Sequence, residues 1–369
     1  MLNFTFHNPT IIYFGRGRIK ALEEEIRKRA KKVLVVTGRG SVKKCGIFDE
    51  VIAEIKKAGV DYVELSGVQP NPRLKSVYEG IELCRKEGVD FILPVGGGSV
   101  IDAAKAIAVG AKYKGDVWDF FETDAMPEDA LPLAAVLTVA ATGSEMNPNA
   151  VISEEEAKRK LALSSPLIQP VFSILDPAYT FTVNRYHTAA GVADIMAHVF
   201  EYYLSPVPHT ETQDALSEAL LKICIRFGGV VCENGDDYDA RANILWASTL
   251  ALSGLIGKGK ISDWTCHAIE HEVSAIYDIS HGAGLAVLLP AFIKVVSEKY
   301  GPDKLREYGI NVWGVERKKD DKWIVDEAIT RTRSFLKSLG LPSKLSEMNI
   351  SDDHFEIMTE NVLQARAEV

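Results

Sequence analysis

The feature that most constrains this chain is a change in the period of its hydrophobic pattern about halfway along. Up to Asn184, short β-branched runs alternate with stretches of helical spacing; beyond it, helical spacing dominates. Residues 32–36, 62–65, 91–95, 133–139 and 171–175 read as strands, and 18–30, 48–58, 73–87 and 101–111 as the helices between them. Apolar strands separated by helices predict a mostly parallel sheet covered on both faces, with a ligand crevice at the strand ends. In the second half, residues 187–204, 210–227, 238–256, 263–276 and 284–299 read as helices. The expected fold is an α/β, Rossmann-like domain over 1–184 followed by an all-α domain over 185–369.

Length supports two domains, since 369 residues exceed one ordinary core. With 47% hydrophobic and 25% charged residues the chain is no disordered polymer. Forty-two basic against fifty-one acidic residues give a net charge of −9, which argues against a nucleic-acid partner. No apolar run approaches the ~18–20 residues of a membrane span. The longest candidate, 282–293, contains Pro290 and stops at Lys294. The first residues lack the basic-then-apolar pattern of a signal peptide. Five cysteines without CxxC spacing fit reduced thiols, so a cytoplasmic location is expected.

Three turns follow strands. Gly96-Gly97-Gly98-Ser99-Val100-Ile101-Asp102 leads from the strand at 91–95 into a helix. Glycines let a ligand approach the backbone, and a helix start offers N–H groups and its positive dipole end to an anion. A pyrophosphate suits the turn; a plain tight turn with Ser99 as helix cap also accounts for it. The pattern is neither GxGxxG, because position 101 is Ile, nor a phosphate loop. Ala141-Thr142-Gly143-Ser144-Glu145-Met146-Asn147 follows the 133–139 strand, where Ser144 serves a ligand or is merely a cap. Gly38-Arg39-Gly40-Ser41 ends the 32–36 strand. An acidic residue there would hold a ribose hydroxyl. Arg39 and Ser41, followed by Lys43 and Lys44, favour an extra phosphate and so NADP(H) over NAD(H).

Asp194 and His198 stand at i and i+4, on one helix face, able to grip one ion. His267, His271 and His281 follow. Each alone would be a cap or a core filler; the set points to a metal. Three of these imidazoles with the carboxylate, and no thiolate, suit Fe(II) or Zn(II) and do not separate them.

In order along the chain stand Gly96-Gly97-Gly98-Ser99-x-x-Asp102, Ala141-Thr142-Gly143-Ser144-Glu145, Asp194-x-x-x-His198, His267-x-x-x-His271 and His281-Gly282-x-Gly284. Over nearly its whole length the chain resembles the iron-containing (group III) alcohol dehydrogenases. Within them it is most similar to the branch of NADP(H)-linked butanol dehydrogenases and broad-range aldehyde reductases. The resemblance implies that Asp194, His198, His267 and His281 hold the metal, with His271 beside it without ligating. It implies cofactor contacts at Gly97, Gly98, Ser99 and Asp102 around the pyrophosphate and nicotinamide. Thr138, Thr142, Asn147 and Lys160 would follow them, with Gly38, Ser41 and Asn71 at the adenosine end. A homodimer is the family-level expectation. The chain departs from the pattern at Arg39, where a glycine or an acidic residue is expected. It also ends at Val369, shorter than many relatives, which leaves room for a further helix.

These parts predict an oxidoreductase acting on primary alcohols and short-chain aldehydes through a Lewis-acid ion and a nicotinamide hydride carrier. His271 is expected either to relay a proton to solvent or only to support the site. The alternative substrate is a glycerol-like diol, and the stretch Ile261-Ser262-Asp263-Trp264-Thr265 does not separate the two. A catalytically idle nucleotide binder conflicts with intact donors at all four metal positions. A metal-dependent hydrolase leaves the glycine-rich turns unexplained.

Overall fold

The computed structural model describes residues 1–367. Two compact units divide the chain: Asn8–Val183, and Asn184 onward together with Met1–His7.

The first unit contains, in order, β1 (Ile11–Phe14), α1 (Ala21–Arg29), β2 (Lys32–Gly38), α2 (Ser41–Lys44), α3 (Ile47–Ala58) and β3 (Asp61–Val68). There follow α4 (Leu74–Glu87), β4 (Phe91–Gly96), α5 (Gly98–Lys112), α6 (Asp119–Glu122) and β5 (Ala135–Leu137). The hairpin β6 (Asn149–Glu154) and β7 (Arg159–Ser164) precedes β8 (Phe172–Leu175). Six strands form one parallel sheet in the order β1-β8-β5-β4-β2-β3. Side chains alternate across it. Leu34, Val36 and Ile92 pack with α4 and α5 on one face. Val33, Val35, Phe91, Leu93 and Val95 pack with α1 and α3 on the other. This is the parallel, doubly covered sheet that the strand pattern predicts.

Several elements escape that pattern. β1 is a four-residue edge strand with Ile11 and Phe14 exposed, so it lacks the buried run of an inner strand. The antiparallel β6–β7 hairpin is half polar and turns through Lys158 at φ 52°. The strand expected over 133–139 is shortened to Ala135–Leu137, with Leu133 making an isolated bridge to Ile92.

The second unit is helical. α7 (Arg185–Tyr203), α8 (Glu211–Glu233), α9 (Tyr238–Ala251), α10 (Thr265–Tyr277) and α11 (His281–Tyr300) occupy the stretches that the helical spacing marks. α12 (Asp303–Asn311), α13 (Asp321–Ser338) and α14 (Phe355–Ala367) lie beyond them. Caps fix several starts: the Asn184 side chain accepts the His187 N–H, that of Asp237 the Ala240 N–H and that of Asp320 the Trp323 N–H. The N-terminal segment docks on this unit, where the Met1 ammonium donates to Pro208 O at 2.6 Å and Leu2 N–H to Gly259 O at 2.9 Å. α11 has the length and apolar composition of a membrane span. Its apolar face is buried, with Leu285, Leu289 and Ile293 in the core of the unit.

Candidate functional site

The helical unit gathers the metal-type side chains. α7 holds Asp194 and His198, both buried, one turn apart. α10 supplies His267 and starts from Trp264 in the left-handed region at φ 59°, an uncommon conformation for so large a side chain. α11 opens on His281. A Cβ on the next residue, Gly282, would lie 2.0 Å from Ala190 O, so only glycine lets α11 approach α7 this closely.

Around one oxygen the donors converge. Asp194 Oδ1 stands 3.4 Å from His198 Nδ1, 3.8 Å from His267 Nε2 and 3.7 Å from His281 Nε2. Asp194, His267 and His281 form a group with all ligand atoms within 4.8 Å of one another. His198 stands outside that group. It reaches Asp194 and stacks on His267, with ring centroids 4.5 Å apart. Asp194 Oδ1, His198 Nδ1 and His267 Nε2 are buried without a hydrogen-bond partner. Such atoms are costly to bury unless something binds them, and a divalent cation fits this donor set.

Two glutamates unmarked by the sequence pattern orient the imidazoles. Fully buried Glu201 places Oε1 at 2.9 Å from His267 Nδ1 and accepts the His267 backbone N–H at 3.1 Å. Fully buried Glu270 pairs with His281 Nδ1 through Oε2 and accepts the Ser274 hydroxyl. A carboxylate on Nδ1 assigns the proton there and turns Nε2 towards the cluster. The available signal is spacing: Glu201 follows His198, and Glu270 follows His267, by one turn. Trp264 packs edge-on against both His198 and His267. His271 is half-buried, its ring 5.4 Å from that of His281, and shares a second group with Glu270 and His281.

Charge states suit a cation. Burial pushes His198 down to about 3, against the pull of Asp194. Burial would raise Asp194, but His198, His267 and His281 together hold it below the ordinary carboxylate range. Burial would lower His267 as well, yet Asp194 and Glu201 raise it to about 9. A cation entering the site therefore meets an ionised Asp194, a neutral His198 and a proton on His267 to displace.

The α/β unit gathers the turns. α5 begins at Gly98 with no side chain capping its N-terminus, so Ser99 is not the helix cap. A Cβ on Gly98 would lie 2.3 Å from Thr142 Oγ1, and one on Gly97 3.1 Å from Val139 Cβ. The first and second turns are thus packed directly together, and Thr138 N–H donates to Gly96 O at 3.0 Å. Ser144 is no cap either: its hydroxyl donates to Asp102 Oδ1 at 2.5 Å. Asp102 Oδ2 accepts the Val151 N–H at 3.1 Å, so both carboxylate oxygens are engaged within the protein. Asn147 uses both ends of its amide, Nδ2 to Thr142 O at 3.3 Å and Oδ1 to Asn149 N–H at 2.9 Å. Lys160, buried on β7, faces Asp102.

At the third turn, Ser41 is exposed at the start of α2, and Gly38 and half-turned Gly40 bound Arg39. Arg39 donates to Gln69, while Lys43 is paired with Glu64 at 2.5 Å. Asn71, buried and left-handed at φ 49°, lies beyond β3. Glu64, the carboxylate beside this turn, comes from the neighbouring strand β3 and so is not visible in the turn's own sequence.

A glycine-rich strand-to-helix turn on a parallel sheet, with an imidazole–carboxylate group on helices of the same chain, marks an oxidoreductase that uses a nucleotide and a metal. The chain belongs to the iron-containing alcohol dehydrogenase family: residues 9–177 match the iron-containing alcohol dehydrogenase model and residues 188–369 its C-terminal model. It is 47% identical to NADH-dependent butanol dehydrogenase A of Clostridium acetobutylicum, over 99% of this chain and 94% of that protein. It is 40% identical to the NADPH-dependent aldehyde reductase YqhD of Escherichia coli, over 95% and 90% of the respective chains. The crystal structure of NADH-dependent butanol dehydrogenase A from Thermotoga maritima superposes with a TM-score of 0.95 at 42% identity, covering 99% of this chain and 91% of that one.

Proposed function

We propose that this NAD(P)-linked alcohol and aldehyde oxidoreductase interconverts short-chain aldehydes and primary alcohols, with one divalent ion held by Asp194, His198, His267 and His281. The observation that carries the ligand assignment is the convergence on Asp194 Oδ1 of His198 Nδ1 and His267 Nε2, all three buried without a hydrogen-bond partner, with His281 Nε2 at 3.7 Å. When bound, the ion supplies Lewis acidity at the substrate oxygen and the nicotinamide supplies or takes the hydride. Glu201 and Glu270 fix the imidazoles of His267 and His281. Gly97, Gly98 and Ser99 offer the open start of α5 to the pyrophosphate, with Asp102, Thr138, Thr142, Asn147 and Lys160 around the nicotinamide end. Gly38, Ser41 and Asn71 take the adenosine end. In this reading half-buried His271 passes a proton between the substrate oxygen and solvent.

The test is metal analysis and turnover of anaerobically purified protein, with a substrate panel of butanal, butanol and a diol. Absence of aldehyde-dependent NAD(P)H oxidation with Fe(II) or Zn(II) restored overturns the reading. His198→Ala removes metal and turnover together; survival of both overturns the ligand assignment.

NADP(H) is the preferred form in this reading. Arg39 and Lys44 stand at the turn, although Lys43 is taken by Glu64. Hydrogen bonds to charged groups contribute about 1.5–3 kcal/mol each, enough for tenfold discrimination if one forms. A kcat/KM for NADPH at least tenfold above that for NADH is expected, and Arg39→Asp narrows the gap. Equal or better use of NADH overturns this preference alone. The reading also carries a homodimer in the cytoplasm, for which sedimentation and fractionation are the checks.

A further inference from the structure

Helix α5 is apolar and buried along Val100–Gly110, yet it carries a lysine with no exposed surface at all. Lys105 Nζ donates to Ser144 Oγ at 2.8 Å, Asn147 O at 2.8 Å, Asn147 Oδ1 at 3.1 Å and Asn149 O at 2.7 Å. An ammonium has three protons, so these four acceptors enclose it completely. A buried charge persists only where it is paired and hydrogen-bonded. The charges facing Lys105 are Asp102, one turn before it on the same helix, and Glu145 from the 144–146 turn; Lys160 of β7 faces Asp102.

From this ammonium a continuous chain of contacts leads to the glycine-rich turn. Lys105 holds the Asn147 amide, Asn147 Nδ2 donates to Thr142 O, and the Thr142 side chain rests on Gly98. A second arm runs from Lys105 to the Ser144 hydroxyl and on to Asp102. Lys105 itself cannot touch a ligand. We propose that Lys105 is a positioning residue for the nicotinamide cofactor, clamping the 142–149 segment against the first turn of α5 so that both turns meet the cofactor in one fixed arrangement. This rests on the nucleotide-binding reading above. A single lysine with four acceptors at one node specifies the separation of the two turns more tightly than apolar packing alone, because each acceptor fixes a direction as well as a distance.

The experiment compares the metal-loaded full-length parent with Lys105→Met and Ser144→Ala, titrating each with NADPH and NADH by fluorescence and measuring steady-state constants. Lys105→Met removes the node. Ser144→Ala removes only the hydroxyl that carries the second arm from Lys105 to Asp102, and it decides the matter where Lys105→Met fails to fold. Expected is a rise in nucleotide Kd and KM of at least tenfold for Lys105→Met and about threefold or more for Ser144→Ala. Metal content and the KM for butanal at saturating nucleotide stay unchanged, a split that general loosening of the fold would not produce. Nucleotide Kd within twofold of the parent in the folded variants overturns the proposal. A parent that binds neither nucleotide overturns the oxidoreductase reading itself.

Discussion

At the residue scale, the side chains that are legible in the sequence are those whose type is rare where they stand. An aspartate and a histidine at i and i+4 within the apolar stretch of α7 are conspicuous, and the structure brings both to one point with His267 and His281. Glu201, Glu270 and Lys105 are equally buried yet invisible to the same reading, because glutamate and lysine on helices ordinarily face water. Glu201 meets its partner, His267, 66 residues on, and Lys105 meets Ser144, 39 residues on, while Glu270 meets His281 across the break between α10 and α11. Glu201→Gln keeps the shape and removes the charge behind His267. Loss of such an outer partner lowers metal affinity about 10–100-fold, and competition with a chelator reads it; unchanged affinity would mean that Glu201 only fills space. His267 also dictates the pH dependence of loading. Its imidazole is raised to about 9 in the metal-free protein, while Asp194 is held low and His198 is pushed down to about 3. Below pH 9 the ion must expel the His267 proton, so apparent Zn(II) affinity rises about tenfold per pH unit between pH 6 and 8. A flat profile across that window would show that His267 is already neutral.

At the element scale, strands are legible where they are buried on both faces, as β2 and β4 are, because a short uninterrupted apolar run has no other comfortable home. The edge strand β1 and the strands of the hairpin β6–β7 each lie beside a single strand and carry mixed side chains, so nothing in their composition separates them from loops. The helices α12 and α13, beyond Tyr300, are more polar than α7 to α11, although each keeps a buried apolar face, and so they stand out less from loop sequence. Motif glycines gain their meaning only in the structure. Gly282 is where α11 meets the backbone of α7, and a Cβ on Gly284 would lie 2.8 Å from Glu270 Oε1. Gly282→Ala must therefore part the helices that carry His281 and Asp194. Overpacking costs about 1–3 kcal/mol and more where backbone must move, so the variant is expected to lose both thermal stability and bound metal. Gly229→Ala is the control. That glycine lies in α8 with nothing within 4 Å of the added carbon, and alanine there stabilises by about 0.5–1 kcal/mol. Equal metal content in the two variants would sink the account of the Gly282 contact.

At the scale of the whole molecule, the change of hydrophobic period divides a parallel sheet with backbone turns at its strand ends from a helical unit that gathers imidazole and carboxylate side chains. The two kinds of site ask for different architectures. A parallel sheet presents strand ends and helix starts at one edge, which suits an anion held by N–H groups. Donors for an ion must come from several directions onto one point, and α7, α10 and α11 provide these directions. That point is also where the helical unit stores electrostatic cost, since ionised Asp194 and protonated His267 are buried beside atoms lacking any partner. Metal removal should therefore weaken this unit. An ion at 100 times its Kd stabilises the folded form by about 2.7 kcal/mol. For a unit of this size each kcal/mol moves the midpoint by roughly 2–4 °C, which places the expected drop on chelation at about 5–10 °C. Hydrogen exchange adds the location: faster exchange on chelation is expected in α7, α10 and the first turns of α11, with β2 and β4 unchanged. A midpoint that does not move, or exchange that quickens in the sheet and not in these helices, would show that the ion is not held by Asp194, His267 and His281.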